Sequence, residues 1–312
     1  MASINNTARS VLVKREAVPG TPETLVAGDA IRDGREFGFL EATFPRVDDA
    51  NVLKNSFGPG KASHDLGAAT QGISLAVPVR APVADGDLPP DIAELLIACG
   101  LAETVNAGVS VVYQPATPAD ITAAPAVSMA IYEGGNLHPM NTARANMVLS
   151  GQPGQNLRAQ FTVRAPWVDP TGNQDIPTVA APVGTLLQFA GAVAITEDGS
   201  TIDIGSLELD LGNQLDDEVT NVGVSVLRSN FNPVIKIDPR AVATVPEWDK
   251  LTGGGEIAIV ATWNGLVINA PKCQLVEMGS KESAGRIRRD KTWQLNETSG
   301  DDQFTMTFTA PV

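Results

Sequence analysis

Ser63-His64-Asp65, within Lys61-Ala62-Ser63-His64-Asp65, places the three side-chain types of a serine-hydrolase relay side by side. Such a relay needs nucleophile, imidazole and carboxylate to converge on one line of hydrogen bonds. Neighbours on an extended chain point to opposite faces, so this run reads as a surface loop. The other histidine, His138, follows a Gly-rich turn and precedes Pro139, the setting of a solvated turn residue. Asp216-Asp217-Glu218 and Asp301-Asp302 offer oxygen ligands but lack the alternating spacing of a calcium loop. Cys99 and Cys273 are too few for a disulfide framework and fall on apolar faces. Arg286-Ile287-Arg288-Arg289-Asp290-Lys291 is the basic cluster; without interleaved aromatics it reads as a solvated loop or a salt-bridge surface between subunits. Trp167, Trp248, Trp263 and Trp293 are scattered singly, as structural anchors are. No nucleophile elbow, zinc-protease helix, phosphate-binding loop or C-x-x-C pair occurs. No catalytic, metal or cofactor-binding residue is assigned, no cofactor is expected, and enzyme activity has no support.

The elements that carry these residues are mostly strands. The chain has 312 residues, 43% of them apolar and 19% charged, enough to bury a core. Glycine (29) and proline (22) are frequent and interrupt long helices. Leu207-Glu208-Leu209-Asp210-Leu211 alternates strictly, with leucines on one face and carboxylates on the other. Ile73-Ser74-Leu75-Ala76-Val77, Arg158-Ala159-Gln160-Phe161-Thr162-Val163, Val234-Ile235-Lys236-Ile237, Ile257-Ala258-Ile259-Val260 and Phe304-Thr305-Met306-Thr307-Phe308 behave alike. Many such strands between turn signals indicate a mainly β sandwich or barrel. A helix is expected over residues 88–101, with Asp87 as its cap and Ile92, Leu95, Leu96 and Cys99 on one face. A second, shorter one is expected around Pro246-Glu247-Trp248-Asp249-Lys250-Leu251.

The element order repeats. Strand, Arg80, helix, strand, Gly134-Gly135 turn, a polar-apolar run over residues 137–149, Gly-rich turn and strand in the first part answer to strand, Arg240, short helix, strand, Asn264-Gly265 turn, a strand over residues 266–276, loop and strand in the second. Two tandem domains are expected, over residues 1–170 and 183–312. The first carries an N-terminal arm and a long loop, residues 47–70. The net charge of -14 is shared: 12 basic and 18 acidic residues up to position 180, 10 and 18 beyond it. Neither part offers a basic groove for nucleic acid. The opening residues lack an apolar signal segment, and the most apolar stretch, residues 179–195, is interrupted by Pro182 and Gly184 and falls short of the roughly 20 residues of a spanning helix. A soluble chain made in a reducing cytoplasm, with no membrane insertion of its own, is the expectation.

Val13-Lys14-Arg15-Glu16-Ala17-Val18-Pro19-Gly20-Thr21-Pro22, with Asp29-Ala30-Ile31, resembles the opening of tail tube proteins of long-tailed, non-contractile bacteriophages (siphophages). Pro90-Asp91-Ile92-Ala93-Glu94-Leu95-Leu96-Ile97-Ala98-Cys99-Gly100-Leu101 is similar to their helix. Tyr132-Glu133-Gly134-Gly135-Asn136-Leu137-His138, Ala143-Arg144-Ala145, Gly265-Leu266-Val267-Ile268-Asn269-Ala270-Pro271-Lys272 and the ending Asp301-Asp302-Gln303-Phe304-Thr305-Met306-Thr307-Phe308 extend the resemblance over nearly the whole chain. It implies tandem β-sandwich or half-barrel domains with a flanking helix. Their strands close across a ring into one barrel, and stacked rings form the hollow virion tail tube through which DNA leaves. With two domains per chain, six positions need three chains, a trimeric, pseudo-hexameric ring; a true hexamer is the alternative. Tape-measure, baseplate and tail-terminator partners are implied by the resemblance alone, as is assembly in the host bacterial cytoplasm.

Within that frame Asp48, Asp49, Asn51, Lys54 and Lys61 are ring-stacking candidates, because long loops in compact domains are usually functional or disordered. Glu41, Glu208 and Asp210 are lumen-lining candidates, whose negative charge would let DNA slide without sticking; acidity serving solubility alone is the competing account. The alternative function is a carbohydrate-binding or adhesive β-sandwich module of a phage tail, which would favour aromatics clustered on one loop face. A polysaccharide-degrading β-protein would need paired carboxylates whose separation the sequence does not give.

Overall fold

The computed structural model describes residues 9–33, 36–38, 40–43, 69–120, 123–189, 193–220, 223–241, 247–283 and 285–312. The chain is mainly β, 56% strand and 6% helix, and most strands belong to one large antiparallel sheet. In order, the first part contains β1 (Arg9–Arg15), β2 (Glu36–Phe37), β3 (Glu41–Thr43), β4 (Thr70–Pro78), β5 (Arg80–Ala81), α1 (Ala93–Ala98), β6 (Leu101–Asn106), β7 (Ser110–Pro115), β8 (Val127–Glu133), β9 (Asn136–Gly151) and β10 (Arg158–Pro166). The second contains β11 (Thr185–Leu186), β12 (Ala194–Glu197), β13 (Ser200–Thr201), β14 (Ile204–Asp210), β15 (Gln214–Val219), β16 (Val224–Asn230), β17 (Val234–Pro239), α2 (Glu247–Gly253), β18 (Glu256–Trp263), β19 (Leu266–Ser283), β20 (Arg286–Leu295) and β21 (Thr305–Phe308). No helix among the described residues is long and apolar enough to cross a membrane.

Period-two alternation gives the core strands one buried face. Ile73, Leu75 and Val77 of β4, Ala159, Phe161 and Val163 of β10, and Leu207 and Leu209 of β14 are all buried in one continuous core. The same core takes Ile235 and Ile237 of β17 and Trp293 and Leu295 of β20. Cys99 and Cys273 lie in it as free thiols.

The pairing order occurs twice. β4 pairs with β10, β10 with β9, β9 with β8, and β8 with β1. β17 pairs with β20, β20 with β19, β19 with β18, and β18 with β12. Both long strands, β9 and β19, carry the same irregularity. Val127 faces Ala143 and Met129 faces Met140; Ile257 faces Cys273 and Ile259 faces Ala270. In each hairpin one residue of the short strand opposes two of the long one, a bulge that bends the long strand. The bend falls where β9 passes from β8 to β10, and β19 from β18 to β20. The two sets join where β14 pairs with β9, and again where β21 lies between β19 and β7.

Two elements depart from expectation. The helix over residues 88–101 is only the six residues of α1, because Asp91 sits at φ 66, in the left-handed region. Its carboxylate accepts the Arg32 backbone N–H at 3.1 Å rather than capping the helix. Gly100, at φ 80, ends α1, and a Cβ there would lie 1.9 Å from the Arg228 guanidinium. The N-terminal arm is in part a buried strand: β1 pairs along its length with β8, and Val11, Leu12 and Val13 are buried. Its opening residues, 1–8, lie outside the described residues.

Candidate assembly surfaces

The β14–β9 junction of the two sets is built from four residue pairs. Leu207, Glu208, Leu209 and Asp210 of β14 stand opposite Gly151, Ser150, Leu149 and Val148 of β9. Leu207, Leu209 and Leu149 point into the core. On the other face, a groove of about 470 Å³ crosses the junction, lined by Ser150, Arg158, Glu208, Lys236, Asp238 and Lys281 among others. Its charge is mixed. Lys236 Nζ lies 2.7 Å from Glu208 Oε1, and this hydrogen bond, strengthened by the nearby charges of Asp210 and Glu277, holds the Lys236 pKa above its ordinary value.

The lumen-lining candidates therefore have distinct surroundings. Glu208 is half-exposed and ion-paired with Lys236 across the β14–β17 ladder. Asp210 accepts hydrogen bonds from Asn146 Nδ2 at 3.1 Å and the Gly212 backbone N–H at 2.8 Å, which fix the exit from β14. Glu41 lies exposed on β3, beside β4 in the first set. The ring-stacking candidates Asp48, Asp49, Asn51, Lys54 and Lys61 lie outside the described residues, as does His64. Asp217 of the acidic run is held by Arg164 at 2.7 Å. The basic cluster is no loop: residues 286–291 belong to β20, Arg288 donates to the Asp238 carbonyl at 2.9 Å, and Arg289 stacks 5.6 Å over the Trp248 ring.

A second surface is covered by the β15–β16 hairpin, which leaves the end of β14 and reaches back over the first set. Two arginines, Arg144 buried and Arg228 half-buried, anchor it. Arg144 of β9 donates to the carbonyls of Val226 and, at 3.2 Å, Ala124. Arg228 of β16 donates to the carbonyls of Cys99 at 3.0 Å and Ala116 at 2.9 Å, closing the C-terminal end of α1. Burial, and their mutual repulsion in Arg144's case, lower both pKa values. Asn213 joins the same node, donating to the carbonyls of Cys99 at 2.8 Å and Ala145 at 3.0 Å. Composition gives no sign of this node, because its acceptors are backbone carbonyls.

A buried ion pair was also missed. Lys291 Nζ lies 3.0 Å from both Glu197 carboxylate oxygens, and Lys250 reaches the same carboxylate at 3.0 Å. Glu197 and Lys291 are 6% and 3% exposed, so this is an interior pair. The signal was present: Lys291, Trp293 and Leu295 share one alternation phase, which puts the lysine on the core face.

The arrangement contains ladders, a bend-bulge device repeated twice and ion pairs that fix them, with carboxylates and arginines engaged in holding strands together. No curated protein matches the sequence. The family model described as phage tail tube protein matches residues 7–280 of the 312. The chain belongs to the phage tail tube protein family, a structural component of the virion tail.

Proposed function

We propose that the chain forms closed rings of three copies, each supplying two tube units, and that the rings stack head to tail into the hollow tail tube of a siphophage. The observation that carries this reading is the twice-repeated order of five paired strands with its shared bulge. The units correspond to residues 1–170 and 183–312, and six of them make a pseudo-hexameric ring. A ring abolishes the open sheet edges that otherwise invite uncontrolled pairing, and head-to-tail stacking extends it into a tube.

In this reading the polar sheet face bearing Glu208 and Asp210, with Glu41 in the first unit, lines the bore. DNA passes it without a basic groove to hold it. Asp48, Asp49, Asn51, Lys54 and Lys61 contact the next ring. Tape-measure, baseplate and terminator proteins are the further partners, assembly takes place in the host cytoplasm, and the role involves no catalysis.

Negative-stain electron microscopy of the concentrated protein, with light scattering on the same sample, tests the proposal. Hollow, axially striated tubes are expected, built from rings with the mass of three chains. Rings of six chains would replace the trimer with the hexamer. A strict monomer that binds a glycan array would favour the adhesive module instead.

A further inference from the structure

The junction between β9 and β14 has a counterpart in the chain with its two sides apart. In the first set, β2 and β3 pair with β4 as β14 pairs with β17. Among the described residues, the outer edge of β2–β3 has no backbone partner, whereas that of β14 is taken by β9. In the second set, the distal part of β19, residues 276–283, continues along β20 as the end of β9 continues along β10. Its other edge likewise has no strand beside it among the described residues, since the pairing of β19 with β18 reaches only to Gln274 and that with β21 only to Asn269. Seven of these eight residues are exposed, Val276 at 52% among them.

We propose that these two open edges are the two sides of one seam, and that β2–β3 of one chain pairs antiparallel with the distal part of β19 in a second copy. The inference rests on the ring reading above and gives it a register. Ile73 faces Val163 and Val163 faces Ala145, as Ile235 faces Trp293 and Trp293 faces Leu275. From that row, Val148 opposite Gln160 corresponds to Gly279 opposite Asp290, both one strand over from residues three before Val163 and Trp293. Asp210 opposite Val234 corresponds to Glu41 opposite Gly72, and Leu207 opposite Ile237 to Phe37 opposite Leu75. Since Asp210 faces Val148 and Leu207 faces Gly151 within the chain, Glu41 faces Gly279 of the second copy, and Phe37 faces its Glu282. The two edges belong to different strands, so the contact is heterologous and each chain offers one of each; such a contact generates a ring when its rotation closes.

Directly opposed residues of an antiparallel pair bring their Cα atoms within the range a disulfide spans. Glu41→Cys with Gly279→Cys therefore tests the seam. A Cβ at Gly279 meets nothing nearer than Asp290 Cβ at 3.8 Å, and the native thiols are buried. The matched control is Asp210→Cys with Val148→Cys, which closes inside one chain whether or not it assembles. After mild oxidation of assembled protein, the first pair is expected to give a covalent ladder ending at the closed ring, while each single variant stays uncrosslinked. On the unmutated chain, amides of residues 276–283 are expected to exchange at least tenfold more slowly once assembled. Rings or tubes seen by microscopy, with the control pair closed but the first pair uncrosslinked and those amides unprotected, would overturn the seam and leave the ring. An unmutated chain that never forms rings would remove the ring reading and the seam with it.

Discussion

The two strand sets solve the same packing problem with different chemistry at one place. In the first, Val13 of β1 stands opposite Met129, and Phe161 of β10 opposite Met147, all inside the apolar core. The residues at the corresponding positions of the second are Glu197, opposite Ile259, and Lys291, opposite Met278. An apolar position pair has become a buried ion pair. Removing two charges from water costs about as much as their attraction returns, so such a pair adds little net stability. It does penalise any packing that separates its members. The repeated frame is held by strand order and bulge placement, and tolerates a change from apolar to ionic at one site.

The largest expected effect breaks that pair. Glu197→Ala leaves the Lys291 ammonium buried without its carboxylate and is expected to cost about 3–5 kcal/mol in denaturant unfolding. Writing the first set's residues into the second, Glu197→Val with Lys291→Phe, is expected to be neutral or to stabilise by about 1–4 kcal/mol, as Lys250, a quarter exposed, can turn to solvent. A double variant as damaged as the single one would sink the equivalence of these positions. Phe161→Ala in the first set should cost about 3–5 kcal/mol, the usual figure for an emptied aromatic site.

Next in size is the arginine node. Arg228→Met removes the donor to the Cys99 and Ala116 carbonyls, and a lost charged hydrogen bond is worth about 1.5–3 kcal/mol. Hydrogen exchange should show the β15–β16 hairpin losing protection while β9 and β10 keep theirs. Equal loss throughout would mean the hairpin is not a separable layer.

The thiols give a pH dependence. Burial pushes Cys273 up from about 9 to about 12, and Cys99 upward as well. The folded chain keeps these protons while the unfolded chain releases them, so stability is intact below about pH 9 and falls as pH rises toward 12. Each thiol contributes a slope of about 1.4 kcal/mol per pH unit across that window. Cys273→Ala should remove its share of that slope and leave the share of Cys99, and an unchanged alkaline slope would contradict the burial account. The smallest effect belongs to the groove: Glu208→Gln removes a half-exposed partner of Lys236 and should change stability by less than about 1 kcal/mol.

Much of the frame was legible in the residues. Alternation located β4, β10, β14, β17, β18 and β21, and the two Gly-marked turns located both long hairpins, because burial of one sheet face dictates period two. The helix over residues 88–101 was overestimated because its cap signals were local, while Asp91 is held by Arg32, distant in sequence. The arginine node was not legible, because carbonyl acceptors leave no mark in residue types. The Glu197–Lys291 pair was half-legible: alternation phase puts Lys291 on the core face, but its partner is 94 positions away. The lumen-lining candidates Glu208 and Asp210 are legible as strand residues, but what surrounds them depends on how β14 meets β9, a pairing between distant segments.

Cryo-electron microscopy of single rings, viewed down the axis with their mass measured on the same sample, tests the central claim most directly. Two equivalent units per chain predict six lobes in a particle of three chains, about 98 kDa from the 32.6 kDa of each. Three lobes at that mass, or six lobes in a particle of six chains, would show that the two strand sets do not act as equivalent units.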